Sequence, residues 1–225
     1  MDKKADLKIY GQGSSAGGIY KDVIIKGTGQ ISGDLDCINY KVYGNSEING
    51  NLNANTVNIK GQTEFGGDLK AKVLKIQGEV SIKGDMFLDQ LVIIGNIKCK
   101  GDFNAENFVL EGGFGINGLL NADVIDINMY WPCNIREIGG TEIKVKRDEK
   151  FSFLGIKNII KPHASNKLLK TDIIEADEIY LENTHAKIVR GNNIKIGPEC
   201  KIELVEYKKT FKKDDKSEVN KFKKI

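Results

Sequence analysis

From Val23 to Ile127 the sequence repeats every seventeen residues without a slip, and no other feature limits the possible folds so tightly. Glycine recurs at Gly27, Gly44, Gly61, Gly78, Gly95 and Gly112, and in a second column at Gly33, Gly50, Gly67, Gly84, Gly101 and Gly118. Apolar columns run between them: Val23, Tyr40, Val57, Leu74, Leu91, Phe108 and Ile125 form one, and Ile25, Val42, Ile59, Ile76, Ile93, Leu110 and Ile127 the next. Three more columns begin at Ile31, Leu35 and Cys37. Such a period marks a stack of units that cannot bury their own cores alone.

Within a repeat the inward residues come as i, i+2 pairs, Val23 with Ile25 and Leu35 with Cys37. Side chains two apart share a face of a strand, whereas a helix needs spacings of three and four. The repeat therefore divides into three short strands, with Gly27 and Gly33 where the chain must bend. The expected fold is all-β: a triangular parallel β-helix, a solenoid of about nine coils stacked about 4.8 Å apart. A period of seventeen with unequal sides argues against the left-handed hexapeptide β-helix, whose three equal sides take about eighteen residues. The lumen holds only side chains, and alanines such as Ala54 sit beside larger columns, as dense packing requires.

A net charge of +3 is too small to argue for nucleic acid as a partner. The segment from Lys208 carries eight lysines against Asp214, Asp215 and Glu218, so the charge is concentrated there. No run of apolar residues is long enough to span a membrane, and the start, MDKKADLKIYG, lacks the apolar core of a secretory signal. Cys37, Cys99, Cys133 and Cys200 show no CxxC spacing, and Cys37 and Cys99 lie in different columns about four coils apart. They read as small buried hydrophobes in a reducing compartment, and the expected location is the cytoplasm.

In chain order, residues 1–19 read as a flexible polar leader, with a short extra strand at Leu7 and Ile9 as the alternative. Residues 20–207 read as a single β-helix body. Its register breaks after Ile127, where Met129 replaces the expected glycine and Trp131, Pro132 and Cys133 follow. Ile143 and Val145 then follow Ile125 and Ile127 by eighteen, a seventh coil with one inserted residue, and Trp131 reads as a packing residue at a wide corner. Residues 147–172 lack the repeat but hold Phe151, Phe153 and Ile156, and are expected to pack as an insertion against a side of the helix. Alternation resumes at Ile179 and Leu181 with a looser period near fifteen. Residues 208–225 read as a disordered basic tail. Their functional alternative is contact with an anionic surface by Lys208, Lys209, Phe211, Lys212, Lys213 and Phe222.

Little in the sequence points to catalysis. Asp34, Asp68, Asp85 and Asp102 form a column, with Asn51 in the gap, but each follows a corner glycine and reads as structural. His163 and His185 lack metal-ligand spacing, Arg147 and Arg190 have no visible partner cluster, and no phosphate loop, nucleophile elbow or cofactor fingerprint occurs. No catalytic, metal or cofactor residues are assigned, no cofactor is expected, and a carbohydrate-active enzyme or acyltransferase is disfavoured. What remains is a solenoid whose terminal strands invite pairing. The expected polymer interface is Val23, Ile25, Ile31 and Leu35 at one end, and Ile202, Leu204 and Tyr207 at the other.

The recurring unit, as in Val73-Leu74-Lys75-Ile76-Gln77-Gly78 and Phe65-Gly66-Gly67-Asp68-Leu69-Lys70-Ala71, resembles the bactofilins, bacterial polymer-forming cytoskeletal proteins. The resemblance covers about residues 19–207, and the segments 176–183 and 204–207 look like a bacillus- and clostridium-type branch. It implies a right-handed β-helix that assembles end to end without nucleotide and serves as a scaffold. The implied partners are other copies of the chain, the inner face of the cytoplasmic membrane, and envelope or motility proteins. The competing reading is a non-polymerising adaptor that presents a side face, or the 147–172 insertion, to a protein partner.

Overall fold

The structure is a computed structural model that describes residues 4–147, 152–153, 156–157 and 167–225. The chain divides into two compact units, Met1–Glu106 and Asn107–Ile225. All the regular structure among the described residues is β, and the units together hold about twelve solenoid turns. That exceeds the nine expected because both end segments of the chain are themselves strands.

In the first unit, β1 (Leu7–Ser15), β3 (Asp22–Ile31), β4 (Leu35–Ile48), β5 (Leu52–Phe65), β6 (Leu69–Ile82) and β7 (Met86–Cys99) pair in parallel in that order, and the short β2 (Gly18–Ile19) pairs with β4. The partners are the residues seventeen apart: Val42 faces Ile59, Ile59 faces Ile76, and Ile76 faces Ile93. Every residue of these columns in β3 to β7 is buried. Where the repeat suggested three short strands, each turn is one fourteen-residue extended segment. The chain changes direction at Gly61 without losing its partner, because Gly61 pairs with Gly44 and Gly78 while its φ is 134°. No Cβ fits there: it would strike the Gly44 carbonyl oxygen of the turn below. The pairing lapses at Asn55 and breaks at Gly66–Asp68, so each turn bends in three places.

Within the first unit Tyr40 occupies a column otherwise held by Val and Leu, and is fully buried. A buried phenol needs a partner. Its hydroxyl lies 2.7 Å from Ser46 Oγ, which donates to Thr63 Oγ1 in the next turn at 3.2 Å.

The second unit takes in most of β8 (Phe103–Arg147), then β11 (Leu169–Leu181), β12 (Thr184–Ile196), β13 (Lys201–Lys213) and β14 (Glu218–Lys224), again in parallel order. Ile143 pairs with Ile179 and Val145 with Leu181. Ile179 pairs with Ile194, a fifteen-residue period as read from the sequence. From β12 to β13 the register shifts between Gly191 and Asn193. Most of the 147–172 insertion lies outside the described residues. Its last residues from Leu169 already belong to β11, and β9 (Ser152–Phe153) pairs antiparallel with β10 (Ile156–Lys157). Trp131, read as a packing residue at a wide corner, lies against Gly113 and is 38% exposed.

Two further expectations are corrected. Residues 7–15 are not a flexible leader: β1 pairs with β3 along its whole length, Leu7 on Val23 and Ile9 on Ile25. Nor is the basic tail disordered, because β13 runs to Lys213 and β14 pairs with it, Val219 on Ile202 and Phe222 on Val205. Parallel pairing is made by backbone groups, so a lysine-rich segment joins the ladder without an apolar stripe.

Candidate functional site

Because β1 and β14 lie outside the strands expected to be terminal, the candidate interface falls one turn inside. Val23, Ile25, Ile31 and Leu35 are fully buried, the first three under β1 and Leu35 opposite Gly18 of β2. At the other end Ile202 is buried beneath Val219, while Leu204 and Tyr207 are half-buried opposite Lys221 and Lys224. These seven residues join turns within the chain. The outer edges, which pair with no other strand among the described residues, belong to β1 and β14.

The two edges differ in character. In β1 only Ile9 is buried, Leu7 is half-buried, and the exposed Tyr10 ring carries Lys26 Nζ 5.5 Å from its centroid. In β14 the inward column is left open at Phe222, which is 62% exposed, and Ile225 just beyond the strand is 51% exposed. Phe222 lies 5.3 Å from Phe211, which lies 5.6 Å from Tyr207, so three rings stack across the last turns of the second unit. Phe211 is thereby held in a ring stack and half-buried, while Lys208, Lys209, Lys212 and Lys213 remain exposed. The expected surface contact thus sits on strands, with Phe222 as its exposed ring.

The corner aspartates have a structural task. Asp34 Oδ1 accepts the Asn51 backbone N–H at 2.7 Å, Asn51 Oδ1 that of Asp68 at 2.8 Å, Asp68 Oδ1 that of Asp85 at 2.9 Å, and Asp85 Oδ1 that of Asp102 at 2.8 Å. Each side chain thus satisfies an N–H in the next turn, where the backbone ladder breaks. The preceding glycine is part of the device, since a Cβ on Gly84 would collide with Asp68 Oδ1.

Arg190, expected to stand alone, bridges three turns. Its guanidinium meets Glu206 at 2.6 Å and Glu175 at 3.0 Å, and Lys223 Nζ reaches Glu206 at 2.8 Å. The hydrogen bonds from Lys223 and then Arg190 hold the Glu206 carboxyl below the usual carboxylate range. The partners are fifteen and sixteen residues away, so a search for local clusters overlooks them. His185 is half-buried, and burial, with Lys201 and Lys170 nearby, lowers its pKa. His163 lies outside the described residues.

All four cysteines are buried and free. Burial raises Cys37 and Cys133 to about 12, and Cys99 and Cys200 to about 11, so they stay thiols at neutral pH. Among the described residues no three His, Cys, Asp or Glu side chains are grouped to hold a metal, and no helix is long and apolar enough to cross a membrane.

Comparison with known proteins adds a partial family match. A family model described as "Bactofilin: Polymer-forming cytoskeletal" matches residues 1–87. The uncharacterized protein YhbF of Bacillus subtilis (strain 168) is 42% identical over 86 residues, which are 38% of this chain and 32% of that protein. The uncharacterized protein YhbE of the same strain is 48% identical over 52 residues, 23% of this chain and 22% of its own length. The matched regions thus span about a third or less of either relative. No solved structure matches the chain. The family match begins earlier and ends sooner than the resemblance read from the repeat, and it takes in β1. Over residues 1–87 the chain therefore matches the bactofilin family model, and its Bacillus relatives are consistent with the bacillus-type branch.

Proposed function

We propose that this protein is a structural scaffold that assembles into filaments without nucleotide, by pairing the outer strands β1 and β14 with those of other copies. The observation that carries the reading is the pair of outer edges, each a parallel strand with no partner on one side among the described residues. Backbone groups on such an edge are a template for a further strand. The exposed Phe222 column adds apolar area of the kind that joins neighbouring turns. The family description, polymer-forming and cytoskeletal, supports the same reading, and both fold and family are structural rather than enzymatic in kind. The scaffold is placed in the cytoplasm. The lysines of β13 and β14 are the segment through which it would meet an anionic membrane surface, with envelope or motility proteins as further partners.

Electron microscopy of the purified protein without nucleotide tests this. Filaments are expected from the wild type, and discrete soluble particles from the double variant Leu7→Lys with Phe222→Lys, which places a charge on each outer strand. Wild-type protein of one-chain mass at every concentration overturns the proposal, as do filaments that survive both substitutions. The adaptor reading, in which a side face binds a partner without assembly, is the outcome that the first of these results leaves standing.

A further inference from the structure

The first unit carries its charge on separate sides. Outward residues of one side fall into two columns: Lys8, Ile24, Lys41, Asn58 and Lys75, and beside them Tyr10, Lys26, Tyr43, Lys60 and Gln77. Five lysines stand there with no carboxylate among them. Tyr10 and Tyr43 are 61% and 43% exposed, and Lys26 and Lys60 lie over their rings at 5.5 and 6.0 Å. Among the described residues, Lys8 alone of the five reaches a carboxylate, Asp6 at 3.3 Å, at the margin of the face.

Across the corner at Gly27, Gly44 and Gly61 the character reverses. The columns Thr28, Asn45, Gln62, Glu79 and Gln30, Glu47, Glu64, Ser81 contain three carboxylates and no base. Between them the floor is made of small residues, Gly29, Ser46 and Thr63, which leaves a recess of about 580 Å³. Among the described residues, only Glu64 of its carboxylates has a cation, Lys83 at 2.6 Å. Lys98 closes the recess at its far end.

We infer that the lysine–tyrosine face of one copy docks into the glutamate-lined recess of a second copy, so that chains associate side by side as well as end to end. The chemistry of the two surfaces is complementary. Lysine ammonium groups are donors only, and the tyrosine hydroxyls can donate, whereas ionised glutamates are acceptors only. The spacing also matches. Both faces are ruled by the same stack of turns about 4.8 Å apart, so two copies lying alongside meet rung for rung. The recess favours this occupant over an anionic bilayer, which has no side chains to fill a trough. One such contact between exposed charges is weak, and a row of them along an assembled stack is not.

The contact is read directly by zero-length carbodiimide coupling of mixed ¹⁴N- and ¹⁵N-labelled protein at low salt. Coupling of Lys26, Lys41, Lys60 or Lys75 to Glu47, Glu64 or Glu79 between light and heavy copies is expected. The Lys83–Glu64 pair serves as the internal control within one copy. The variant Lys26→Glu/Lys60→Glu loses these cross-links, as does the variant Glu47→Lys/Glu64→Lys, and mixing the two variants restores coupling between them. All substituted side chains lie on the surface, and circular dichroism checks that each variant folds. The same measurement on the Leu7→Lys/Phe222→Lys protein separates the two modes: side-by-side cross-links without filaments are expected there, whereas cross-links without filaments in the wild type mean that only the end-to-end reading has failed. Absence of intermolecular cross-links, or cross-links at other residues, overturns the inference. So does protection of the lysine face by phosphatidylglycerol vesicles without any coupling between copies.

Discussion

At the scale of single residues, the corner column shows how one side chain per turn holds neighbouring turns in register. Asp68 accepts from Asp85 N–H and itself donates its N–H to Asn51 Oδ1. Asn51 does the same work with an amide in place of a carboxylate, so acceptor geometry matters more than charge. Asp68→Ala should therefore cost roughly 1 kcal/mol, the net worth of one hydrogen bond, and Asp68→Asn much less, as thermal melts of both variants would show. Equal losses in the two would mean that the charge is what counts. Glu206 offers a pH-dependent counterpart. Its folded-state pKa is depressed by Lys223 and Arg190, so its contribution is present above the unfolded carboxylate value of about 4.3 and is lost as pH falls through the folded value. Stability of the wild type should fall faster than that of Glu206→Gln as pH drops below about 4, measured by chemical denaturation at a series of pH values.

At the scale of the element, the repeating unit depends on glycines whose two columns do different work. Gly61 and its equivalents turn the corner at positive φ while a carbonyl of the turn below occupies the space of a Cβ. Gly61→Ala should cost at least about 2–3 kcal/mol, because both the backbone strain and the clash must be relieved. A melting temperature within a degree or two of wild type would contradict this. The same scale explains the misread ends. β1 obeys the inward pattern, but Gly11 precedes Gly27 by sixteen residues, so a search at seventeen passes it by. β14 keeps the interval of seventeen, Val219 after Ile202 and Phe222 after Val205, yet its lysines obscure the pattern. The corner aspartates were legible as a column, but the groups they bond are backbone N–H groups, which no side-chain pattern reveals.

At the scale of the whole molecule, the two proposed contacts respond oppositely to salt. The outer strands are both basic, β14 carrying Lys221, Lys223 and Lys224 against Glu218, and β1 carrying Lys8. End contacts therefore form through backbone pairing and apolar area against like charge. The side contact instead joins lysines to glutamates. Raising ionic strength to about 1 M shortens the screening length to about 3 Å. Micrographs should then show separate filaments at high salt and laterally associated ones at low salt. Association that persists at high salt would assign the side contact to exposed apolar residues such as Phe87 and Val92.

By itself the sequence determined the class of fold, the period, the inward columns and the family resemblance of the first repeats, because a strict repeat places like residues on like positions and burial does the rest. Tertiary structure decided which strands are outermost, what the corner aspartates hold, and that Arg190 joins Glu175 and Glu206. Those outcomes depend on backbone hydrogen bonds and on residues brought together from successive turns. A linear pattern of side chains records neither.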